Sequence, residues 1–435
     1  MRKRLICLFL GGLIAAASCV CARAADLELS APSAILMEKT TGEILYEQNS
    51  HEKLAPASVT KIMTLLLVLE ALDNGSIGWD DTVTTSAAAA AKAAFASVQD
   101  KPFPDDIFTA PELHWAVIGC GVIANQMAQS LALAGRKLAG VANRTLSKAQ
   151  AFAEQYGIEK VYDTVEDLYA DPSIDAIYIT TPHNTHITYL RAALAAGKHV
   201  LCEKAITLNS AELDEARAIA AEHNVVLMDA TTVLHMPLYQ ELRRRMDAGE
   251  FGRMNLAQLN FGSYKEYGDL TNRFYNRNLA GGAMLDIGVY ALSVMRLFMA
   301  SRPAEVVSLG NTCETGVDVA GGIVCRNAEQ QLGVVSLTLH SKQPKRSVIS
   351  FDKCYIEVNE YPRADHATIV WTADGHREEA HAGTEAYALC YEMADLEKAV
   401  AGDDSKRELL DYASDVMELM TKLRADWGVV YPEEE

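Results

Sequence analysis

A glycine-containing turn after an apolar segment is the first group of residues in this chain whose spacing suggests chemistry. The segment Trp115–Ile118 is entirely apolar. It leads into Gly119, Gly121 and Ala124, spaced as Gly-x-Gly-x-x-Ala, and then into a helix-like segment, 125–134. The first glycine allows a tight turn, the second lets backbone approach a pyrophosphate, and the small third residue lets helix and strand pack closely. Because a helix N-terminus also offers free N–H groups to phosphates, we predict a dinucleotide site formed by Gly119, Gly121, Val122, Ile123 and Ala124.

The end of the second predicted strand indicates which dinucleotide binds. In NAD-binding sheets an acidic residue roughly 20 residues after the first glycine holds the ribose hydroxyls. The corresponding segment, Val141–Thr145, contains no acidic residue. Asn143 and Arg144 are therefore predicted cofactor ligands, with Arg144 and Thr145 holding a 2′-phosphate, so that NADP is preferred and NAD is the alternative. The other interpretation of Arg144 is a surface charge at a strand end.

Two further polar segments follow apolar strands and are predicted to lie at the same sheet edge. Thr181, Pro182, His183 and His186 follow the first of these strands, and the pair Glu203-Lys204 follows the second. Loops at the carboxyl edge of a parallel sheet are where such folds bind ligands. We predict that these residues bind the cofactor. A lysine there could also hydrogen-bond and polarise a substrate hydroxyl. Taken alone, Glu203-Lys204 would be a solvated ion pair.

The elements that position these residues alternate between strand and helix up to about residue 230. This alternation predicts a doubly wound parallel sheet in an α/β domain. The predicted strands are 115–118, 141, 177–179 and 199–201, and the later helices are 147–156, 185–196 and 210–223.

From residue 254 the pattern becomes rich in β-strands with short connections and predicts one large, mostly antiparallel sheet. The predicted strands are 255–261, 305–309, 322–325, 333–340, 347–351, 355–358 and 367–371. The predicted helices of this part are 283–299, 385–400 and 405–424.

The order of these motifs resembles a known enzyme family. The glycine turn, Thr181-Pro182-His183, 197–200, Glu203-Lys204 and the segment 281–290 occur in the order found in the Gfo/Idh/MocA oxidoreductases. The resemblance covers about residues 105–435. It implies an N-terminal Rossmann domain and a C-terminal α/β domain with a large open, mostly antiparallel sheet. That sheet often forms a dimer interface in the family, so a homo-oligomer is expected.

The resemblance also implies roles for individual residues. Lys204 matches the lysine that positions and activates the reacting hydroxyl or carbonyl. Tyr290 matches the general acid/base of the reaction, and Asp286 lies one helical turn before it, so that both can face one cleft. Without the resemblance, Asp286 would be a helix N-terminal charge and Tyr290 a packed aromatic. One departure is Ala205, where the family has proline.

The N-terminal part resembles a different family. The hairpin-like segment 34–46 and the segment 55–64 are similar to the start of D-alanyl-D-alanine carboxypeptidases. Ser58 and Lys61 match their Ser-x-x-Lys nucleophile and base. The later Ser-x-Asn and Lys-Thr-Gly motifs are absent and the similarity ends near Ala90, which predicts a truncated, inactive fragment fused to the oxidoreductase.

Composition and the N-terminal segment indicate which partners the chain binds and where it is located. The net charge of −19 argues against nucleic acid, because phosphate binding needs a basic face. Nine cysteines without metal-ligand spacing predict reduced thiols and no metal site. Residues 1–24 have a basic start, an apolar core and a small-x-small end, which predicts a signal peptide and export. NADP(H) is a cytoplasmic cofactor, so we expect the oxidoreductase part to act in the cytoplasm, in conflict with that leader.

The predicted organisation has five parts: a signal peptide at 1–24, the carboxypeptidase-like fragment at 25–90, a junction at 91–110, the Rossmann domain at 111–232 and the substrate domain at 233–435. The predicted function is hydride transfer between a nicotinamide cofactor and a small molecule, a sugar, polyol or related hydroxyl or carbonyl compound. The alternatives are a serine carboxypeptidase and a non-catalytic dinucleotide-binding regulator.

Overall fold

The computed structural model describes residues 102–435, together with residues 34–37, 41, 44–48 and 98. The predicted signal peptide, Ser58 and Lys61 lie outside the described residues. The chain divides into two compact units, residues 1–84 and 85–435. In the first unit, strands β1 (Ala34–Met37) and β2 (Ile44–Gln48) pair antiparallel, which confirms the predicted hairpin.

The first sheet of the second unit has six parallel strands in the order β5-β4-β3-β6-β7-β8. Its central strands β3, β6 and β7 are almost entirely buried, which explains their continuous apolar sequences. The prediction of a doubly wound parallel sheet is confirmed. The strands are β3 (Trp115–Ile118), β4 (Gly140–Ala142), β5 (Lys160–Tyr162), β6 (Ala176–Ile179), β7 (His199–Cys202) and β8 (Leu227–Asp229).

Five helices connect these strands: α1 (Val122–Leu133), α2 (Leu146–Tyr156), α3 (Val165–Ala170), α4 (His186–Ala195) and α5 (Ser210–Glu222). The chain winds outward from β3 through β4 to β5, and then returns to add β6, β7 and β8 on the other side of β3. The winding direction therefore reverses between β3 and β6. Loops that leave neighbouring strands at such a reversal diverge and open a crevice at the carboxyl edge of the sheet.

The second sheet has eight strands in the order β10-β11-β12-β9-β13-β14-β15-β16. Only β12 and β9 pair in parallel, so the predicted mostly antiparallel sheet is confirmed. Burial alternates along most of its strands, with one face against the core and the other open. The strands are β9 (Met254–Gly262), β10 (Pro303–Thr312), β11 (Asp318–Asn327), β12 (Leu332–Thr338), β13 (Gln343–Phe351), β14 (Cys354–Asn359), β15 (His366–Trp371) and β16 (Arg377–His381).

Five helices lie in this part of the chain, and the one over Val289–Phe298 packs against β9 and β12 of the sheet. They are α6 (Pro237–Asp247), α7 (Val289–Phe298), α8 (Ala388–Val400), α9 (Asp404–Arg407) and α10 (Leu409–Asp426). Helix α8 packs into the core of the first sheet. Its Glu397 accepts a hydrogen bond from the Trp115 indole (3.0 Å) and forms an ion pair with Arg136 (2.6 Å). The segment Arg277–Phe298 is apolar and long enough to cross a membrane, but 78% of its most apolar window is buried in the protein.

Candidate active site

The turn after β3 depends on the first of its two glycines. Gly119 has φ of +105°, and a Cβ atom there would lie 2.6 Å from the Thr180 hydroxyl at the end of β6. A side chain is excluded by both the backbone conformation and the space. The Gly119 N–H donates to the Ala142 carbonyl (2.9 Å), which fixes the turn against β4.

The second glycine of the turn faces open space. A Cβ atom at Gly121 would meet nothing within 4 Å. Helix α1 begins directly after it, with no side-chain cap and no acidic residue in its first turn. Val122 is exposed, whereas Ala124 is fully buried against the sheet. An uncapped helix N-terminus beside an open backbone is a ready anion site, so these residues fit a dinucleotide pyrophosphate.

The end of β4 carries no carboxylate. Asn143 donates from its side-chain amide to the Thr145 carbonyl (3.0 Å), and Arg144 is exposed beside it. The assignment of Arg144 to a 2′-phosphate remains a prediction.

His186 holds two loops of the site together. It is fully buried, its Nε2 lies 2.8 Å from the Thr181 carbonyl, and its Nδ1 lies 3.0 Å from the Ala205 carbonyl. Its ring nitrogens therefore face backbone and not the crevice. His186 ties the Thr181-Pro182 loop to the segment that carries Lys204.

Lys204 lies at the centre of the candidate site. Its ammonium donates to the Asp286 backbone carbonyl (2.7 Å), is 3.5 Å from the Asp286 carboxylate and is 4.8 Å from the centre of the Tyr290 ring. The Lys204–Ala205 peptide bond is cis. Burial lowers the pKa of Lys204, but Tyr290, Asp286 and Glu203 together raise it above its ordinary value. Lys204 is therefore a buried cation.

Asp286 and Tyr290 reach Lys204 from one continuous helical segment. Residues Met284–Gly288 form a wide π-helical turn, and α7 continues from Val289. Burial raises the pKa of Asp286, but Lys204, Arg273 and Lys265 outweigh it and lower the pKa, so the carboxyl is ionised. Burial raises the pKa of Tyr290, partly opposed by Lys204, so its hydroxyl keeps its proton at neutral pH.

His183 and Glu203 complete the surroundings of Lys204. Burial, Lys204 and His186 lower the pKa of His183 to about 3, so its imidazole is neutral. Glu203 accepts hydrogen bonds from the Tyr178 hydroxyl and from the Lys204 backbone N–H (3.2 Å). Burial raises the pKa of Glu203. The Glu203-Lys204 pair is thus built into the site and is not a solvated ion pair.

Two cations of the site were not singled out from the sequence. Arg273 Nη2 lies 3.4 Å from the Asp286 carboxylate, and the Lys265 ammonium lies 4.1 Å from the centre of the Phe274 ring. Both belong to the irregular segment 263–282, which has no helical or strand period. The one signal in the sequence is that these cations precede the Gly281-Gly282 pair. In the part of the chain that the structure describes, no three His, Cys, Asp or Glu side chains gather to hold a metal ion.

Comparison with known proteins gives matches over both domains of the second unit. Residues 113–231 match the family described as "Oxidoreductase family, NAD-binding Rossmann fold", and residues 239–357 match the Gfo/Idh/MocA C-terminal domain. The trans-1,2-dihydrobenzene-1,2-diol dehydrogenase of Xenopus tropicalis is 32% identical over 250 residues, which is 56% of this chain and 74% of that protein. The enzyme of the same name from Sus scrofa is 27% identical over 340 residues, 74% of this chain and 99% of that protein.

Solved structures share the fold. A 3-ketoreductase from Actinomadura kijaniata, in complex with NADP and TDP-benzene, has a TM-score of 0.63 at 23% identity and covers 72% of this chain and 98% of its own. A levoglucosan dehydrogenase, in complex with NADH and levoglucosan, has a TM-score of 0.63 at 19% identity and covers 72% and 97%.

The N-terminal resemblance is also confirmed. Residues 20–171 match the D-alanyl-D-alanine carboxypeptidase family. That match runs past the predicted end near Ala90 and overlaps residues that also match the Rossmann family. In the structure the overlapping residues, 113–171, contain strands β3 to β5 of the parallel sheet and helices α1 to α3.

Proposed function

This chain belongs to the Gfo/Idh/MocA family of NAD(P)-binding oxidoreductases, and we propose that it transfers a hydride between NADP(H) and a sugar, polyol or related compound. The observation that carries the proposal is the meeting of Lys204, Asp286 and Tyr290 at the carboxyl edge of the parallel sheet, on the same edge as the dinucleotide turn. Relatives of similar fold act on sugar-like molecules, as the levoglucosan dehydrogenase does.

The residues that would hold the cofactor surround the crevice between β3 and β6. Gly121 and the first turn of α1 would bind the pyrophosphate, and Asn143 with Arg144 would bind the adenosine ribose and its 2′-phosphate. Thr181, Pro182 and His183 would line the other side of the crevice. When bound, the nicotinamide supplies or accepts the hydride.

Side chains from both domains would handle the proton and the charge. Reduction of a carbonyl places negative charge on its oxygen, which must gain a proton. The Tyr290 hydroxyl, protonated at neutral pH, is the proposed donor, and the Lys204 ammonium stabilises the developing charge. Asp286 anchors Lys204 through its backbone carbonyl and its carboxylate. In alcohol oxidation the same groups take part, and the proton passes from the substrate hydroxyl to Tyr290.

We further propose that two copies associate through the open face of the eight-stranded sheet. Four large apolar side chains on its adjacent strands β10, β11 and β12 are exposed by 40% or more: Val307, Leu309, Val324 and Leu332. Contiguous exposed apolar surface of this kind marks protein–protein contact sites. We also propose that the oxidoreductase part acts in the cytoplasm, where NADP(H) is found. Cell fractionation followed by detection of the chain tests this location.

The activity is tested by steady-state turnover of the purified chain with NADPH and NADH against a panel of sugars, polyols and their keto forms. We expect cofactor-dependent turnover with a preference for NADPH. Tight binding of NADPH with no turnover of any panel member would instead support the non-catalytic regulator. Reaction with a labelled penicillin at Ser58 would support the carboxypeptidase alternative.

A further inference from the structure

The mouth of the candidate site carries more positive than negative charge. Three cations, Lys204, Lys265 and Arg273, act on the single carboxylate of Asp286. Arg273 and Lys204 lie 3.4 and 3.5 Å from that carboxylate. These three cations outnumber the carboxylate that they share.

Neighbouring groups do not remove this excess. His183 is neutral, and the Glu203 carboxyl acts on Lys204 and Arg363, which leaves Asp286 as the carboxylate that acts on Lys265 and Arg273. Asp269, in the same loop as the two added cations, accepts hydrogen bonds from the Thr271 hydroxyl (2.6 Å) and N–H (2.9 Å). A fourth cation, Lys345, is paired with Glu360 at 2.8 Å. The excess is local, because the whole chain is acidic with a net charge of −19.

The two added cations are held in place before any ligand arrives. The Lys265 ammonium and the Arg273 guanidinium lie 4.1 and 4.5 Å from the centre of the same aromatic ring, that of Phe274. Such cation–π contacts restrain flexible side chains. The backbone is fixed too, since the Lys265 N–H donates to the Leu339 carbonyl (2.8 Å) and its carbonyl accepts from the Tyr275 hydroxyl (2.8 Å).

Burial and neighbouring cations disfavour the charged form of Lys265, and one carboxylate alone opposes them. Burial lowers the pKa of Lys265; Asp286 opposes this effect, and Arg273, Lys204 and Lys345 add to it. Lys265 is half-buried, whereas the Arg273 side chain is 60% exposed. An anion placed between them would gain charge-assisted hydrogen bonds from both side chains and would relieve their mutual repulsion.

We propose that the substrate is an anionic sugar or polyol, whose carboxylate or phosphate is bound by Lys265 and Arg273 while Lys204 and Tyr290 act on a hydroxyl or carbonyl of the same molecule. The reaction in this proposal rests on the proposed function, but the anion-binding step does not. The cations of the segment 263–282 thereby set the substrate class, and the Lys204–Asp286–Tyr290 group serves the chemistry.

Binding is measured by titration calorimetry on the NADPH-loaded full chain, with D-glucose, D-glucuronate, D-glucose 6-phosphate and inorganic phosphate as probes. The two sugar anions are matched to the neutral sugar and separate a carboxylate from a phosphate requirement. We expect at least one anionic probe to bind about tenfold or more tightly than D-glucose, with an affinity that falls as salt is raised. Equal binding of all three sugars, or no binding of any anionic probe, would overturn the proposal.

Variants assign the effect to the two side chains. Lys265→Met together with Arg273→Met should weaken the anionic probe by about 10- to 100-fold, should change the D-glucose affinity much less, and should leave the NADPH affinity unchanged. The single variant Lys265→Arg keeps a cation at this position and should bind the anionic probe more tightly than the single variant Lys265→Met does. Lys422→Met, which removes a surface cation paired with Asp426, is the matched control and should have no effect. An unchanged affinity in the double variant would contradict the assignment.

A Tyr290→Phe variant separates this proposal from the proposed reaction. It should keep the preference for the anionic probe over D-glucose, because Lys265 and Arg273, which hold the anion, are unchanged. Anion binding that depends on Lys265 without any turnover would leave the substrate site standing and reject the oxidoreductase activity. Turnover with a higher kcat/KM for neutral than for anionic sugars would support the oxidoreductase activity and reject the anionic substrate class.

Discussion

Lys204 and Tyr290 both keep their protons but differ in charge, and this difference underlies the proposed chemistry. Lys204 keeps its charge although it is largely buried, because Tyr290, Asp286 and Glu203 raise its pKa. Its ammonium also donates to the Asp286 carbonyl. Tyr290 keeps its proton because burial disfavours the phenolate. A fixed cation beside a protonated hydroxyl suits the stabilisation and protonation of a developing alkoxide.

Removal of the Tyr290 hydroxyl should therefore slow the reaction without releasing the cofactor. General acid catalysis contributes about 10²- to 10⁴-fold, so Tyr290→Phe should lower kcat by that factor. Lys204→Met should do similar damage through lost charge stabilisation. Stopped-flow and steady-state kinetics measure kcat, and quenching of protein fluorescence measures NADPH affinity. Ser58→Ala is the control and should keep full turnover. A Tyr290→Phe variant with undiminished kcat would show that another group moves the proton.

Arg144 offers a second test at the level of one side chain. It is exposed at the end of β4, where no carboxylate is present to hold ribose hydroxyls. Loss of a charge-assisted phosphate contact costs about 1.5–3 kcal/mol. Arg144→Ala should thus weaken NADPH roughly 10- to 150-fold and change NADH affinity little. Equal affinity of the unmodified chain for the two cofactors would contradict the NADP preference.

Asp229 predicts a pH dependence of stability. It is buried at the end of β8, its carboxylate accepts from the Thr231 hydroxyl (3.0 Å), and Glu203, Glu392 and His235 lie near it. Burial raises the pKa of Asp229 to about 7, from 3.8 for a free aspartate. The folded state therefore binds more protons between these values, and the resulting stability is full below about pH 4 and lost as pH rises through about 7.

Asp229→Asn removes this titration. Between pH 5.5 and 8.5 the free energy of unfolding of the unmodified chain should fall, relative to the variant, by a few kcal/mol at most. Denaturant unfolding at both pH values measures the difference. Asp105→Asn, at an exposed site, is the control and should show the same pH trend as the unmodified chain. Parallel curves for Asp229→Asn and the unmodified chain would contradict the raised pKa.

At the scale of elements, the sequence predicts those parts of the site that depend on strand ends. Unbroken apolar runs of three or four residues identify β3, β6 and β7, and the polar residues after them necessarily share one edge of a parallel sheet. The strands β5, β8 and β16 were not predicted: β5 and β16 contain charged residues and few apolar ones, and β8 ends in an aspartate. Lys265 and Arg273 were missed because they lie in a segment without a period, where only tertiary contacts place them beside Asp286.

The position of His186 in the sequence also did not show that its side chain points into the core. A histidine one turn after His183 was expected to face the cofactor, but α4 turns its side chain into the core, against the Thr181 and Ala205 carbonyls. The direction of a side chain at the start of a helix depends on what packs beneath that helix, and this information is non-local.

The two glycines of the dinucleotide turn should respond differently to the same substitution. Gly119→Ala places a side chain at φ of +105° and 2.6 Å from Thr180, so it should lower the free energy of unfolding by about 1–3 kcal/mol. Gly121→Ala meets open space and should leave stability within about 0.5–1 kcal/mol while it weakens NADPH. Thermal unfolding and cofactor titration separate the two effects. The opposite order of stabilities would contradict the proposed roles.

At the scale of the whole molecule, the two domains of the second unit are joined more closely than their order in the chain suggests. Helix α8 lies late in the sequence yet packs into the core of the parallel sheet, and Glu397 links it to Trp115 and Arg136. Cofactor and substrate residues are thereby held on one framework, which favours a fixed geometry at the reacting atoms. The carboxypeptidase-like unit lacks the later motifs that an acyl-transfer site requires.

The open face of the eight-stranded sheet gives the last prediction, since it determines whether the chain associates. Val307 and Leu309 on β10 are 76% and 84% exposed, and Val307 lies directly opposite Val324 on β11. The same face carries a polar depression of about 370 Å³, lined by Gln258 and Tyr355 among others, which could receive side chains of a second copy. A closed two-fold contact would bury both features at once.

A charge placed on this apolar surface should separate the copies, because an unpaired carboxylate cannot be buried without a large cost. Leu309→Asp should convert a dimer into a monomer in sedimentation velocity at micromolar concentration, while the circular dichroism spectrum and NADPH affinity stay the same. Asp426→Asn, an exposed change on α10, is the control and should leave the mass unchanged. The chain is strongly acidic, so the dimer should also tighten as salt screens the repulsion between copies. A monomeric unmodified chain at every salt concentration would reject this interface.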